Sequence, residues 1–280
     1  FVGYTRFVDR GTDRAVPASP PSFFASQQQF FAGARAEVVY DNSITTDMNL
    51  IEGTRGKLRF THFEGLGNKN ASFSQVTIDV RHYQKIYKEI VFAVRGFGGS
   101  FFGNSAQNFV LGGMDNWFLN RINYEGVNNP LASEPGRYNQ NLLFTEFITN
   151  LRGFNYASLY GNSVLVANAE LRLPLVRALS SGPITSNFFR NLQLTAFYDI
   201  GTSWSGNLPF NSEGTVRTRI VKRDPFSVEL KEFINPWLYS YGFGFRSMML
   251  GYYLKFDLAW PVENYVVQQP RVFISLGFDF

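Results

Sequence analysis

The sequence predicts an all-β chain folded as a transmembrane antiparallel β-barrel. Three observations predict it: side chains alternate with a period of two along most of the chain, the alternating stretches are long, and the connections between them are sorted by length. Successive side chains of a strand point to opposite faces, so a run with one apolar face reads as a sheet member. Composition agrees with this. Phe (30) and Tyr (14) are abundant, Gly reaches 25, and Cys is absent, a mixture that favours strands over helices and leaves no thiol for disulfides or metal sites.

In chain order, residues 1–9 form one candidate strand, and residues 31–40, 56–63, 73–83 and 89–101 alternate less cleanly. Residues 164–175 set Leu165, Ala167, Ala169, Leu171, Leu173 and Leu175 against Val164, Val166, Asn168, Glu170, Arg172 and Pro174. Residues 192–201 set Leu192, Leu194, Ala196, Tyr198 and Ile200 against Gln193, Thr195, Phe197, Asp199 and Gly201. In 239–246, Tyr239, Tyr241, Phe243 and Phe245 oppose Ser240, Gly242, Gly244 and Arg246. In 252–260, Tyr252, Leu254, Phe256, Leu258 and Trp260 oppose Tyr253, Lys255, Asp257 and Ala259. The last stretch, 271–280, places Val272, Ile274, Leu276, Phe278 and Phe280 on an apolar face and Arg271, Phe273, Ser275, Gly277 and Asp279 on the other.

These make about ten strands of roughly 9–13 residues, enough to cross a hydrocarbon layer when tilted, whereas soluble strands average about 5–6. A soluble barrel would show the same alternation, so two other features decide. Trp260, Tyr239, Tyr252 and Phe280 lie near strand ends on the apolar face, as interfacial aromatics do. Long and short connections also nearly alternate: with Phe280 on the periplasmic side, 10–28, 103–161 and 206–237 fall outside the cell, while 87–88 and the turn near Leu250–Gly251 fall inside. Outer-membrane barrels sort their loops in this way.

Other classes find little support. The net charge of +4 is scattered rather than gathered, which argues against nucleic acid as a partner. No run of 18 apolar residues makes a transmembrane helix, and "FVGYTRFVDR" reads neither as a signal peptide nor as a natural start, so the chain is expected to be part of a longer protein. The two histidines share parity with apolar neighbours, His62 with Leu58 and Phe60, and His82 with Val76, Ile78 and Val80, and so are expected to face lipid rather than to catalyse. No two-His metal spacing, nucleophile elbow or phosphate loop occurs; "GFGGS" at 96–100 has no helix behind it. No catalytic residue, metal or cofactor is expected. Residues 109–126 read as a strand extension rising into a loop, or as a partner surface with Trp117, Phe118 and Tyr124 as exposed anchors; 213–232 reads as a solvated hairpin.

An Arg-Gly-Phe triplet occurs twice. Arg95 lies in an alternating stretch, on the polar face alongside Ala93, and reads as inner wall. Arg152 lies in the longest connection, within "NLRGFNYASLYGN", followed by "VANAELRLPL" and "LTAFYDIGTSW". These three segments in order, continued by "YGFGFRSMMLGYYLKFDLAWPVEN", resemble the BamA/TamA-type superfamily, also called the bacterial surface antigen family. The resemblance covers the chain from about residue 150 onward and plausibly before.

The resemblance implies a sixteen-stranded barrel of which this chain is the C-terminal portion, preceded by soluble periplasmic modules such as POTRA domains. It implies an extracellular loop folded back into the lumen, carrying Arg152, Gly153 and Phe154, with Glu170 and Asp199 as acidic partners of the arginine. It implies that "RVFISLGFDF" is the closing strand, with Gly277, Phe278 and Phe280 in the places the assembly machinery reads. That strand either opens sideways, with Gly277 thinning the packing at the seam, or is an ordinary stable closing strand. The implied function is protein insertion into, or translocation across, the outer membrane of a Gram-negative bacterium, with outer-membrane lipid and other outer-membrane or periplasmic proteins as partners. The alternatives are a passive channel or anchor barrel carrying another module, and the barrel part of a lipid-active enzyme fusion.

Overall fold

A computed structural model describes residues 2–6, 28–66, 71–122, 144–179, 182, 184–206, 216–223, 226–233 and 235–280. A twelve-stranded sheet dominates it. Its members are β1 (Val2–Arg6), β2 (Gln28–Asp41), β3 (Ile44–Asp47), β4 (Leu50–Leu66), β5 (Phe73–Tyr87), β6 (Ile90–Phe102), β10 (Ser163–Pro174), β11 (Gln193–Trp204), β14 (Trp237–Met249), β15 (Tyr252–Glu263), β16 (Val266–Val267) and β17 (Arg271–Leu276). Neighbours pair antiparallel throughout. β3 and β16 are short additions to β4 and β15; the other ten members agree with the number of strands read from the alternation.

The alternation sorts the faces as expected. Outward-pointing Leu165, Leu171, Leu194, Tyr198, Phe243 and Val272 are exposed, whereas Val166, Glu170, Arg172, Thr195, Asp199, Arg246 and Asp257 are buried inside. A continuous exposed belt of bulky apolar side chains is costly in water and favourable in lipid. No helix among the described residues is long and apolar enough to cross a membrane. His62 and His82 lie on this outward face, each hydrogen-bonded to a neighbouring hydroxyl, Ser74 and Thr54 respectively, at 2.8 Å.

One end of the sheet carries the turns Lys88–Glu89 and Leu250–Gly251, the short helices α1 (Leu175–Leu179) and α2 (Asn187–Arg190), and the chain end. Lys88, Leu250 and Gly251 all have positive φ (48°, 52° and 84°), which lets two residues reverse the chain. The other end carries the long connections. One of them contains β12 (Val216–Arg223) paired with β13 (Phe226–Phe233), the hairpin expected at 213–232.

β3 and the first residues of β4 form a hairpin, and Leu50 at its turn is buried against Tyr83, Val91, Ala93 and Phe280. One expectation is corrected. Phe280 does not continue the outward face and is 7% exposed. β17 stops at Leu276, and Gly277 with φ 108° turns the last residues off the sheet and inward. A period-two pattern holds only while the backbone stays extended, and a left-handed glycine resets it.

Candidate functional site

The described residues of the connection after β6 do not stand away from the barrel. They form a small sheet of β7 (Phe109–Leu111), β8 (Glu146–Ile148) and β9 (Leu159–Gly161), in the order β8-β7-β9. Phe109, Leu111, Ile148, Leu151 and Phe154 bury themselves against inward-facing Phe73, Phe97, Phe101, Val164, Val166 and Leu238. The wall has room for them. A Cβ on Gly99 would sit 2.6 Å from the Phe109 ring, and one on Gly201 would sit 3.0 Å from Leu111 Cδ2. Each fully buried Phe or Leu contributes about 1.5–3 kcal/mol, so this loop is packed as a core is packed. Of residues 109–126, the described part from Phe109 to Trp117 therefore enters the interior instead of extending a strand outward, and 123–126 lie outside the described residues.

At the tip of the loop lies Arg152. Its Nε and Nη2 donate to Asp199 Oδ2 and Oδ1, both at 2.7 Å, and its Nη1 donates to Glu170 Oε1 at 2.5 Å. Its backbone N–H also points at Asp199 Oδ2, at 3.3 Å. Side-chain exposure is 2% for Arg152, 1% for Glu170 and 0% for Asp199, so both ion pairs are desolvated. The planar fork of a guanidinium satisfies two carboxylates at once, which an ammonium does not. Burial disfavours the charged form of Arg152, but Asp199 and Glu170 outweigh it and raise its pKa well above the ordinary arginine value.

The strands place the acids. β10 and β11 pair with Asn168 opposite Asp199 and Glu170 opposite Phe197, so the two carboxylates sit diagonally on adjacent inner-wall positions. Asn168 Nδ2 bonds Asp199 Oδ1 at 2.8 Å and the Asn150 carbonyl at 2.5 Å, tying the wall to the loop. Gly153 carries φ 88°, and a Cβ there would come 3.0 Å from Pro261 Cβ. Phe154 is buried in the apolar cluster.

Two inner-wall residues escaped the sequence reading. The Phe197 ring centre lies 3.6 Å from the guanidinium carbon of Arg152. The ring fits because its neighbour across the strands, Gly242, has no side chain; a Cβ there would stand 2.7 Å from Phe197 Cζ. Arg172 bonds Glu170 Oε2 through Nε and Nη2, at 3.0 and 2.9 Å, so Glu170 is shared between two arginines, one on each oxygen. The signal for both was present: an aromatic and an arginine on the polar parity, each next to an acid on that same parity.

Further along the wall, Arg246 stands 2.8 Å from Asp279 and 2.9 Å from Asp257. The Asp257 contact brings the charges together without a hydrogen bond, since neither Asp257 oxygen has one. Gly244 makes space here, because a Cβ would meet Arg246 Nη1 at 2.8 Å and crowd the Asp257 carboxylate. The other triplet is separate from this site: Arg95 bonds Asp79 at 3.0 Å, as does Arg81 at 2.9 Å.

Of the remaining singled-out residues, Gly277 ends β17, Phe278 is exposed and stacks on Tyr253 at 5.1 Å, and Phe280 turns inside. Trp117 is not an exposed anchor: it is 7% exposed and packs on Phe273 at 4.4 Å. Phe118 is exposed, and Tyr124 lies outside the described residues. The segment around Trp117 meets the second edge of β17. Trp117 bridges Ser275, the Phe118 N–H donates to the Ile274 carbonyl at 3.0 Å, and Asn116 Nδ2 donates to the Leu276 carbonyl at 3.2 Å. Among the described residues no cluster of three or more His, Cys, Asp or Glu could hold a metal.

The model of a family described as the Omp85 superfamily domain matches residues 28–280. Among solved structures, the fold is similar to BamA from Haemophilus ducreyi lacking POTRA domains 1-3, with a TM-score of 0.52 and 15% identity. That likeness covers 94% of this chain and 46% of the other, so this chain spans less than half of the structure it matches. No curated protein matches the chain.

Proposed function

The chain belongs to the Omp85 superfamily, and on that premise we propose that it acts in protein insertion into, or translocation across, the outer membrane, with the Arg152 loop held inside the barrel as a fixed working part. The long connections then face the cell exterior, the outward apolar belt contacts outer-membrane lipid, and the partners are other outer-membrane or periplasmic proteins. No covalent chemistry is assigned to it.

The observation that carries this reading is the buried contact of Arg152 with Glu170 and Asp199 on two adjacent wall strands. Removing one partner of such a pair leaves an uncompensated buried charge and costs about 3–5 kcal/mol. The pair therefore fixes the position of the loop, whatever it adds to net stability. A passive channel is the weaker reading, because the apolar cluster built by the loop fills the interior beside β5, β6 and β10.

The test replaces the native gene with Arg152→Ala in the full-length protein. The expected result is normal expression with reduced levels of other β-barrel proteins in the outer membrane. Unchanged levels of those proteins, with the variant itself correctly inserted, would overturn the assignment.

A further inference from the structure

At the turn end of the barrel the chain terminus and the Met48–Asn49 turn close over the interior together. The Asp279 carboxylate accepts from Arg246 Nε at 2.8 Å, Arg246 Nη2 at 3.1 Å and Asn49 Nδ2 at 2.8 Å. The Asp279 N–H in turn donates to Asn49 Oδ1 at 3.2 Å. Phe280 packs with Leu50, Tyr83, Val91 and Ala93. Its backbone oxygen accepts from Arg172 Nη2 at 2.9 Å, and Arg172 Nη1 donates to the Asn49 carbonyl at 3.2 Å.

Arg172 therefore has two sets of partners. Toward the chain end it holds Phe280 and Asn49; toward the loop it holds Glu170, whose second oxygen takes Arg152. We propose that Arg172 is a positioning residue that makes docking of the C-terminal tail and docking of the Arg152 loop cooperative. The physical reason is a shared anchor. Arg172 is 0% exposed, and its guanidinium is held between the Phe280 and Asn49 carbonyls on one side and the Glu170 carboxylate on the other. When the tail leaves, Arg172 loses the Phe280 carbonyl and meets water at the opened end, so Glu170, bound to it through two nitrogens, is no longer fixed in place. The hold of Glu170 on Arg152 is then weakened, and release of Arg152 in turn loosens Glu170 and with it Arg172. Members of one buried charge network are coupled energetically, and coupling between two docking events is reciprocal.

The chain has no cysteine, so in the full-length protein, with any cysteine outside this chain replaced by serine, a single engineered thiol reports on each event. Ala157→Cys, on the loop and buried while it is docked, is labelled by a maleimide when the loop leaves the interior. Leu50→Cys, under Phe280, is labelled when the tail leaves. The expected result is that Asp279→Asn, which loosens the tail, speeds labelling of Ala157→Cys about tenfold, but less than about twofold when Arg172→Gln is also present. By reciprocity Arg152→Lys speeds labelling of Leu50→Cys by a similar factor. Heat-modifiable gel migration confirms that each variant is folded, and if one arm does not fold the other decides. Unchanged labelling in a folded variant, or the same tenfold effect without Arg172, overturns the proposal. The readout needs no client protein, so it stands or falls apart from the assigned function.

Discussion

The guanidinium carbon of Arg152 lies over the Phe197 ring, 3.6 Å from its centre. The inner wall thus offers this loop both charges and a surface. Phe197 stands opposite Glu170 on one side and Gly242 on the other, so the ring forms the floor of the seat while Glu170 and Asp199 form its sides. Cation–π contact of a desolvated guanidinium is worth about 2 kcal/mol. Phe197→Leu keeps most of the apolar bulk and removes the π face. It is expected to lower the stability of the folded barrel by about 1–2 kcal/mol, read from the urea midpoint in detergent or vesicles; an unmoved midpoint would argue against the ring as a platform.

Arg152→Lys is expected to resemble Arg152→Ala more than the native protein. It keeps the charge but loses the fork that reaches Asp199 through two nitrogens and Glu170 through a third. Protease added to intact cells should cut the loop in both variants at comparable rates. A lysine variant as resistant as the native protein would show that charge alone suffices.

At the tip, Gly153 combines φ 88° with close approach to Pro261. Gly153→Ala is expected to cost about 1–2 kcal/mol from backbone conformation alone, with the proline contact adding to it. The measurement is again an unfolding midpoint, and a shift below about 0.5 kcal/mol would mean that the tip has freedom to reshape.

The bridge between Trp117 and Ser275 predicts a cross-link. Residues opposed in an antiparallel bridge have Cα atoms about 4.5–5.5 Å apart, within disulfide range. Trp117→Cys with Ser275→Cys, the only thiols in the chain, should form an intramolecular disulfide on mild oxidation and shift migration on a non-reducing gel. Failure to oxidise in the folded protein would show that this loop segment does not rest on the edge of β17.

Most of the wall was legible in the sequence, because strand parity is a local property. Leu165 and Glu170, or Tyr198 and Asp199, are sorted by their own neighbours with no knowledge of the rest of the fold. The acids Glu170 and Asp199 could therefore be placed inside before any contact was known. What stayed illegible depends on distant partners. Phe197 breaks the polar pattern of its face, and its reason is a loop residue and a glycine on another strand. Trp117 looks like a surface anchor until Phe273 is seen beneath it. Phe280 obeys the pattern by count and departs from it in space, because one left-handed residue at Gly277 ends the strand first.

Gly242 and Gly244 receive the Phe197 ring and the Arg246–Asp257 pair on the inner face of β14. The seat for the loop is thus specified partly by subtraction, through side chains that are missing. A relative that carried alanine at the position of Gly242 would retain every charge of the site and still be unable to lay an aromatic floor beneath the arginine. The same two positions also face the carbonyls of Leu258 and Phe256 on β15, so the seat of the loop and the close pairing of two wall strands depend on the same missing side chains.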